Sequence, residues 1–294
     1  MQIPTAILER RKIPRIIFSI QPQGPSHPQK ILALMQKMYE MGVWYFDLPS
    51  SKHLESFKKL RELIGDETLT GLGHLNVEWG VSFLARPIHQ FESKMISTIV
   101  RNIVPPDLVQ RLFPNHSFRE VFTQKEIDRI TFDPSRFEKA LSIFNIKESP
   151  FLLVGEKYSD WLLGLGRIDL MKEMISRIRE KGFIPIFSGQ WATFILPKAK
   201  PLDVVAFAIP INKTRSLFDL TQAYNMIKKY EKPIISLNPL GGGELLRKAE
   251  EAFSFLFDEL KIYSAISEVS SEDEVKKILE VLKDIPSLIP FPKT

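Results

Sequence analysis

Residues 42–53 read GVWYFDLPSSKH. Gly42 closes a stretch of helical periodicity, an unbroken apolar run climbs through Val43, Trp44, Tyr45 and Phe46, and a carboxylate, Asp47, stands at its end. A short run that is apolar on both faces is the mark of a strand buried on both sides, as parallel sheets require. The pattern recurs along the chain. With VWYFDL (43–48), the runs RIIFSI (15–20), TLTGLG (68–73), FLLVGE (151–156), FIPIFS (183–188), VVAFAI (204–209), PIISLN (233–238) and KIYSAI (261–266) make eight.

Amphipathic segments lie between them. PQKILALMQKMYEMG sets Ile31, Leu34, Met35, Met38 and Met41 along one face before Gly42, and HLESFKKLRELIG repeats the spacing and stops at Gly65. DLMKEMISRIREKG ends at Gly182, and TQAYNMIKKYEK runs into Pro233. SEDEVKKILEVLKDI opens on Ser271 with acids in its first turn, which suits a capped helix N-terminus. Eight strands, most followed by a helix, in 294 residues predict one α/β domain over 1–294, a (β/α)8 TIM barrel. The alternative, a doubly wound open sheet, wants a glycine-rich turn after its first strand, where SIQPQGPSHP stands instead.

One region breaks the rhythm. Residues 77–133 contain HQFESKMISTIVRNI, PPDLVQRLF and FREVFTQKEIDRI, each at helical spacing, and predict a helical insertion within the domain after the third strand. That position puts it at the C-terminal mouth of a barrel, where a lid or a surface for a protein partner or a second copy is expected over mere padding.

Composition narrows the classes. The net charge of +5 is spread over mixed-sign segments such as KKLRELIGDE, without the basic stripe that nucleic-acid binding needs, so no nucleic-acid partner is expected. With no cysteine, disulfides, thiolate metal sites and cysteine nucleophiles are excluded. The N-terminal stretch has charges breaking its apolar run and lacks a signal-peptide core, and no apolar window is long enough for a membrane span. The cytoplasm is the expected location. Abundant Lys and Glu with no Cys also matches thermophile composition.

From its second strand the chain resembles the aldo-keto reductase superfamily. GVWYFDLPSSKH is similar to the family's Gly-(apolar)-Phe-Asp-Thr-Ala-x-x-Tyr segment, FEKALSIFNIKESPFLLVGE (137–156) to its helix leading into strand four, ISLNPLGGGELL (235–246) to its seventh-strand loop, and ISEVSSEDEVKKILEVL (266–282) to its C-terminal cofactor segment. The resemblance implies a barrel that binds NADP(H) at its mouth and reduces a carbonyl with a phenol as general acid, its pKa tuned by Lys and Asp, beside a substrate-orienting His. Asp47 falls on the aspartate. Lys52 stands at the tyrosine position, Gly73 or His74 at the lysine, and Gly155 at the histidine. The cofactor shell implies Ser188 and Gly189 for a Ser-Asn pair and Pro239, Leu240, Gly241 and Gly242 for the pyrophosphate loop, with Leu237 at the stacking aromatic and Ala206 at the carboxamide-binding glutamine. Glu268, Ser270 and Ile278 occupy the positions of a loop glycine, a phosphate-reading arginine and an adenine-contacting asparagine. A carboxylate where a pyrophosphate would lie repels it, and standard NADPH binding is not expected.

The candidate catalytic residues are therefore Asp47, Lys52, His74 and Glu156. Lys52 reads as an ion partner of Asp47, as a desolvated amine base or Schiff-base nucleophile, or as a lysine at a strand end reaching water. Asp47, His74 and Glu156 read as separate residues of a wet mouth, or as a hard-ligand trio; spacing demands no metal, and none is expected. PLGGGELL reads equally as an anion cradle at a helix start or as a tight turn. EKYSDWLLG and SGQWATFILP place Trp161 and Trp191 at the mouth or against the insertion. The C-terminal DIPSLIPFPKT is expected on the barrel surface or over the mouth. The functional expectation is a divergent barrel binding a small molecule at its mouth without standard NADPH-dependent carbonyl reduction. The alternatives are a non-catalytic interaction protein and an NAD(P)H-dependent oxidoreductase with a displaced acid.

Overall fold

In the computed structural model, which describes residues 3–21, 27–104, 109, 120–214 and 220–287, eight parallel strands close into a barrel. An N-terminal hairpin, β1 (Thr5–Leu8) and β2 (Arg11–Pro14), precedes it. The barrel strands are β3 (Ile16–Ile20), β4 (Tyr45–Leu48), β5 (Thr70–Leu75), β9 (Phe151–Gly155), β10 (Ile184–Ser188), β11 (Phe207–Pro210), β12 (Ile234–Leu237) and β13 (Ser264–Val269). Each of the eight apolar runs has become one barrel strand. Several boundaries moved, among them the start of the sixth strand, at Phe207 rather than Val204. The third strand continues to Leu75, so His74 lies within it, and the eighth starts three residues later than its apolar run and carries Glu268 inside. Pairing with both neighbours holds the glycine-rich TGLGHL extended despite its weak β propensity.

Strand alternation sorts the side chains. Ile17, Tyr45, Leu72, Leu153, Ile186 and Ile235 fill the barrel interior, closed below by Ala6, Leu8 and Ile13 of the hairpin. Phe18, Phe46, Leu152, Phe187 and Phe207 point outward into the layer shared with the helices. Those helices include α1 (Pro28–Glu40), which buries Ile31, Leu34, Met35 and Met38, and α2 (Ser51–Ile64), which buries Leu54, Phe57 and Leu60. Gly65 ends α2 in a left-handed conformation (φ 69°) that a glycine adopts without strain.

The insertion carries a small antiparallel sheet of β6 (Val81–Phe83), β7 (Arg86–Pro87) and β8 (Ile130–Phe132), with α3 (Glu92–Ile103) and the short α4 (Gln124–Ile127). Most of PPDLVQRLF lies outside the described residues. Val77, Phe83, Met95, Ile99 and Ile130 belong to the same apolar cluster as the barrel's outer layer. Phe83 packs edge-on against Phe91 and Phe122 at 4.9 and 5.1 Å. The described part of the insertion is thus seated on the barrel, with Trp79 and Leu84 exposed. The beginning of the C-terminal segment lies on the hairpin side, away from the mouth: Arg15 donates to the Pro286 carbonyl (3.2 Å), and Ser287 Oγ accepts from the Thr5 amide (3.0 Å).

Candidate active site

The interior positions at the C-terminal ends of the strands form the floor of the mouth, the end where barrels of this kind place their chemistry. On one side stand Ser19, Asp47, His74 and Glu268, from β3, β4, β5 and β13. On the other stand Gly155, Ser188, Pro210 and Leu237, from β9 to β12. One half is polar and charged, and the other is small or apolar.

His74 joins the polar half together. Its Nε2 meets Asp47 Oδ1 at 2.6 Å, its Nδ1 meets Glu156 Oε1 at 3.3 Å, and Ser19 Oγ donates to Asp47 Oδ2 at 2.7 Å. Burial pulls the imidazole toward neutrality. The Asp47 charge and hydrogen bond, with Glu156 behind them, outweigh it and push the pKa up to about 10. His74 is therefore an imidazolium at neutral pH, donating from both ring nitrogens. Asp47 is 3% exposed, whereas the Glu156 side chain is 44% exposed and reaches solvent.

A tight local geometry places Glu156. It opens α6 (Lys157–Gly164) at φ 61°, ψ −140°, a region that a non-glycine residue enters only when its surroundings force it. The preceding Gly155 has φ 125°, and a Cβ there would come within 2.4 Å of Ser159. Ser159 Oγ lies 2.7 Å from the carbonyl oxygens of both Glu156 and Ser188 and shares its one hydrogen between them, fastening the end of β9 to β10.

Lys52 lies in the first turn of α2, exposed, and Ser56 Oγ donates to its carbonyl. Its neighbour His53 turns inward instead, with Nε2 3.1 Å from the Ile20 carbonyl and Nδ1 2.8 Å from Ser50 Oγ; burial lowers its pKa and keeps it neutral. Ser188 is 2% exposed at the end of β10, on the face that Ile184 and Ile186 turn to the barrel interior. Gly189 has no room for a side chain, since a Cβ would meet Asp160 Oδ1 at 2.5 Å. Asp160, buried on α6, accepts from the amides of Gln190 (2.5 Å) and Trp191 (2.9 Å), and burial pushes its carboxyl up to about 8. It thereby fixes the start of α8 (Ala192–Ala199). Trp161 is buried beneath, 4.8 Å edge-on to Tyr158, and Trp191 is half-buried against the apolar layer. Among the described residues no group of three or more His, Asp or Glu is arranged to hold a metal ion.

Ser19 was not singled out in the sequence. The interior alternation of RIIFSI, with Ile17 and Ser19 on one face, is the signal that finds it.

Solved structures with this architecture cover nearly the whole chain. The holo form of aldo-keto reductase AKR11C1 from Bacillus halodurans superposes with a TM-score of 0.61 at 12% identity, over 98% of this chain and 93% of that one. An aldo/keto reductase from Brucella melitensis gives 0.57 at 11% identity, over 98% and 96%. The putative aldo-keto reductase PA4992 from Pseudomona aeruginosa gives 0.54 at 11%, over 93% and 91%. The fold is that of the aldo-keto reductases. No family model and no curated protein sequence matches the chain.

The family resemblance implies a nicotinamide dinucleotide at the mouth, and the loop that would meet its pyrophosphate is folded on itself. In the PLGGGELL loop, Pro239 has no amide hydrogen. The Gly241 amide donates to the Asn238 carbonyl, Gly242 to Asn238 Oδ1 and Gly243 to the Leu240 carbonyl, at 3.1, 2.5 and 3.1 Å. Left-handed conformations from Gly241 to Gly243 (φ 62°, 71° and 95°) let the loop fold back on itself in this way. These three glycine amides are engaged within the loop itself. The N-terminus of α11 (Glu272–Val281) is closed as well. Ser271 Oγ accepts from the Glu274 amide, while the Glu274 carboxylate accepts from Ser270 N (2.6 Å) and Oγ (3.0 Å). Partial desolvation and the Asp47 charge raise the pKa of Glu268, whose side chain stays exposed near the end of β13.

Proposed function

We propose that this barrel binds a small organic molecule at its C-terminal mouth and acts on it by acid–base chemistry through Asp47, His74 and Glu156, without the NADPH-dependent carbonyl reduction that the family resemblance implies. The observation that carries this reading is His74 held between two carboxylates, one buried and one open to solvent. Each group then has a role. Asp47, oriented by Ser19, keeps the imidazole protonated and fixed. His74 orients Glu156 through Oε1. Glu156, with its side chain 44% exposed, gives or takes a proton at a bound ligand.

The test is an NMR titration of the His74 ring in the full-length protein, together with a titration of NADPH and NADH followed by nicotinamide fluorescence. The expected result is a midpoint near 10 and no saturable nucleotide binding. An imidazole titrating near its ordinary 6.5 removes the relay, and micromolar NADPH binding restores conventional reduction as the better reading.

A further inference from the structure

We infer that Ser50 and His53 form a second reactive centre, a nucleophile and its general base, that cleaves small carboxylic esters. Neither residue belongs to the Asp47–His74–Glu156 relay, and the pair is tested apart from it.

The two side chains meet where β4 passes into α2. Ser50 Oγ lies 2.8 Å from His53 Nδ1, and His53 Nε2 lies 3.1 Å from the Ile20 carbonyl oxygen at the end of β3. A carbonyl only accepts, so Nε2 carries the hydrogen of the neutral ring. Nδ1 is then a lone pair, and the Ser50 hydroxyl donates to it. This is the tautomer that a base needs. One nitrogen is open toward the hydroxyl, and the other is anchored to the main chain of a barrel strand. The imidazole is buried, at 5% exposure, whereas Ser50 is exposed. The base is shielded from water and the nucleophile is open to a substrate.

The local helix chemistry points the same way. Ser50 is the N-cap residue of α2, yet its side chain makes no cap hydrogen bond, and the hydroxyl turns to His53 instead. The helix's own bonding begins with the Leu54 amide on the Ser50 carbonyl at 3.0 Å, so the amides of Ser51, Lys52 and His53 precede the ladder. They are the donors nearest along the chain to an oxyanion formed at Ser50. The charged groups acting on His53 are Asp47 of β4, His74 of β5 and Lys52 of its own helix. Burial outweighs the attraction of Asp47 and holds the ring below its ordinary pKa.

In the reaction, Ser50 Oγ bonds to the ester carbonyl carbon while its proton passes to His53 Nδ1. Collapse of the tetrahedral adduct breaks the bond to the alcohol oxygen, which takes that proton and leaves. Water then repeats both steps on the acyl-serine and releases the acid.

The experiment treats the full chain with diisopropyl fluorophosphate, which phosphorylates an activated serine with loss of fluoride, and follows each labelled serine by peptide mass spectrometry. Ser50 should react at least about a hundredfold faster than Ser51, its exposed neighbour, and His53→Gln should bring it down to the rate of Ser51. The wild-type rate should rise with pH through a midpoint below 6.5 and then level off, as the imidazolium gives up its proton. Where His53→Gln fails to fold, this profile decides the role of the base. Hydrolysis of p-nitrophenyl acetate should be lost in Ser50→Ala, an exposed substitution. Ser50 labelled no faster than Ser51, a rate indifferent to His53→Gln, a profile that does not level off, or ester hydrolysis surviving Ser50→Ala each overturns the proposal.

Discussion

At His74 burial favours the neutral ring, while Asp47 at 2.6 Å and Glu156 at 3.3 Å favour the imidazolium, and the carboxylates prevail. The consequence for stability has a definite sign. A group whose folded pKa is raised stabilises fully below its unfolded value, about 6.5, and that contribution fades as the pH climbs toward about 10. Asp160, raised from 3.8 to about 8 by burial, acts in the same direction at lower pH. We therefore expect the melting temperature to fall between pH 6.5 and 10, with a loss on the order of a few kcal/mol assignable to His74. Asp47→Asn should flatten the upper part of that curve, because it removes the closest charge. A variant whose curve runs parallel to the wild type would show that the ion pair does not set the imidazole's charge.

Helix ends follow local chemistry that a short stretch of sequence contains in full. Ser271 caps α11, and Glu274, three residues on, reaches back to Ser270. Chemical denaturation of Ser271→Ala should show a loss of about 1 kcal/mol, with Ser271→Asn close to wild type. A loss below about 0.3 kcal/mol would mean that Glu274 holds the helix end alone. The α2 boundary shows the same legibility. Leu54, Phe57 and Leu60 set the buried stripe, and that stripe turns Lys52 to water and His53 inward. Strand ends behave differently. TLTGLG gives no local reason to run on to Leu75, and KIYSAI gives none to delay its start to Ser264; hydrogen bonding to neighbours far along the chain decides both.

For the whole molecule, the apolar layer that joins the described part of the insertion to the barrel is expected to make them one cooperative body. Arg167, after α6, donates to the carbonyls of Ile127 and Ile130 at 2.8 and 2.5 Å and pairs with Asp169. Thermal unfolding should be a single transition, and Arg167→Ala should destabilise it by about 2 kcal/mol, since two carbonyls lose a charged donor. An early separate transition in the wild type would show instead that the insertion melts as an independent unit.

Buried apolar runs and helical stripes determined the eight strands, the main helices and hence the barrel, because each side chain's preference for the interior is readable from its near neighbours alone. The resemblance in four segments located Asp47 and singled out Glu268. What only the tertiary structure decided is which of these residues meet. Asp47, His74 and Glu156 lie 27 and 82 residues apart along the chain, and only barrel closure, which fixes strand register and the inward face of each strand end, brings their side chains into contact.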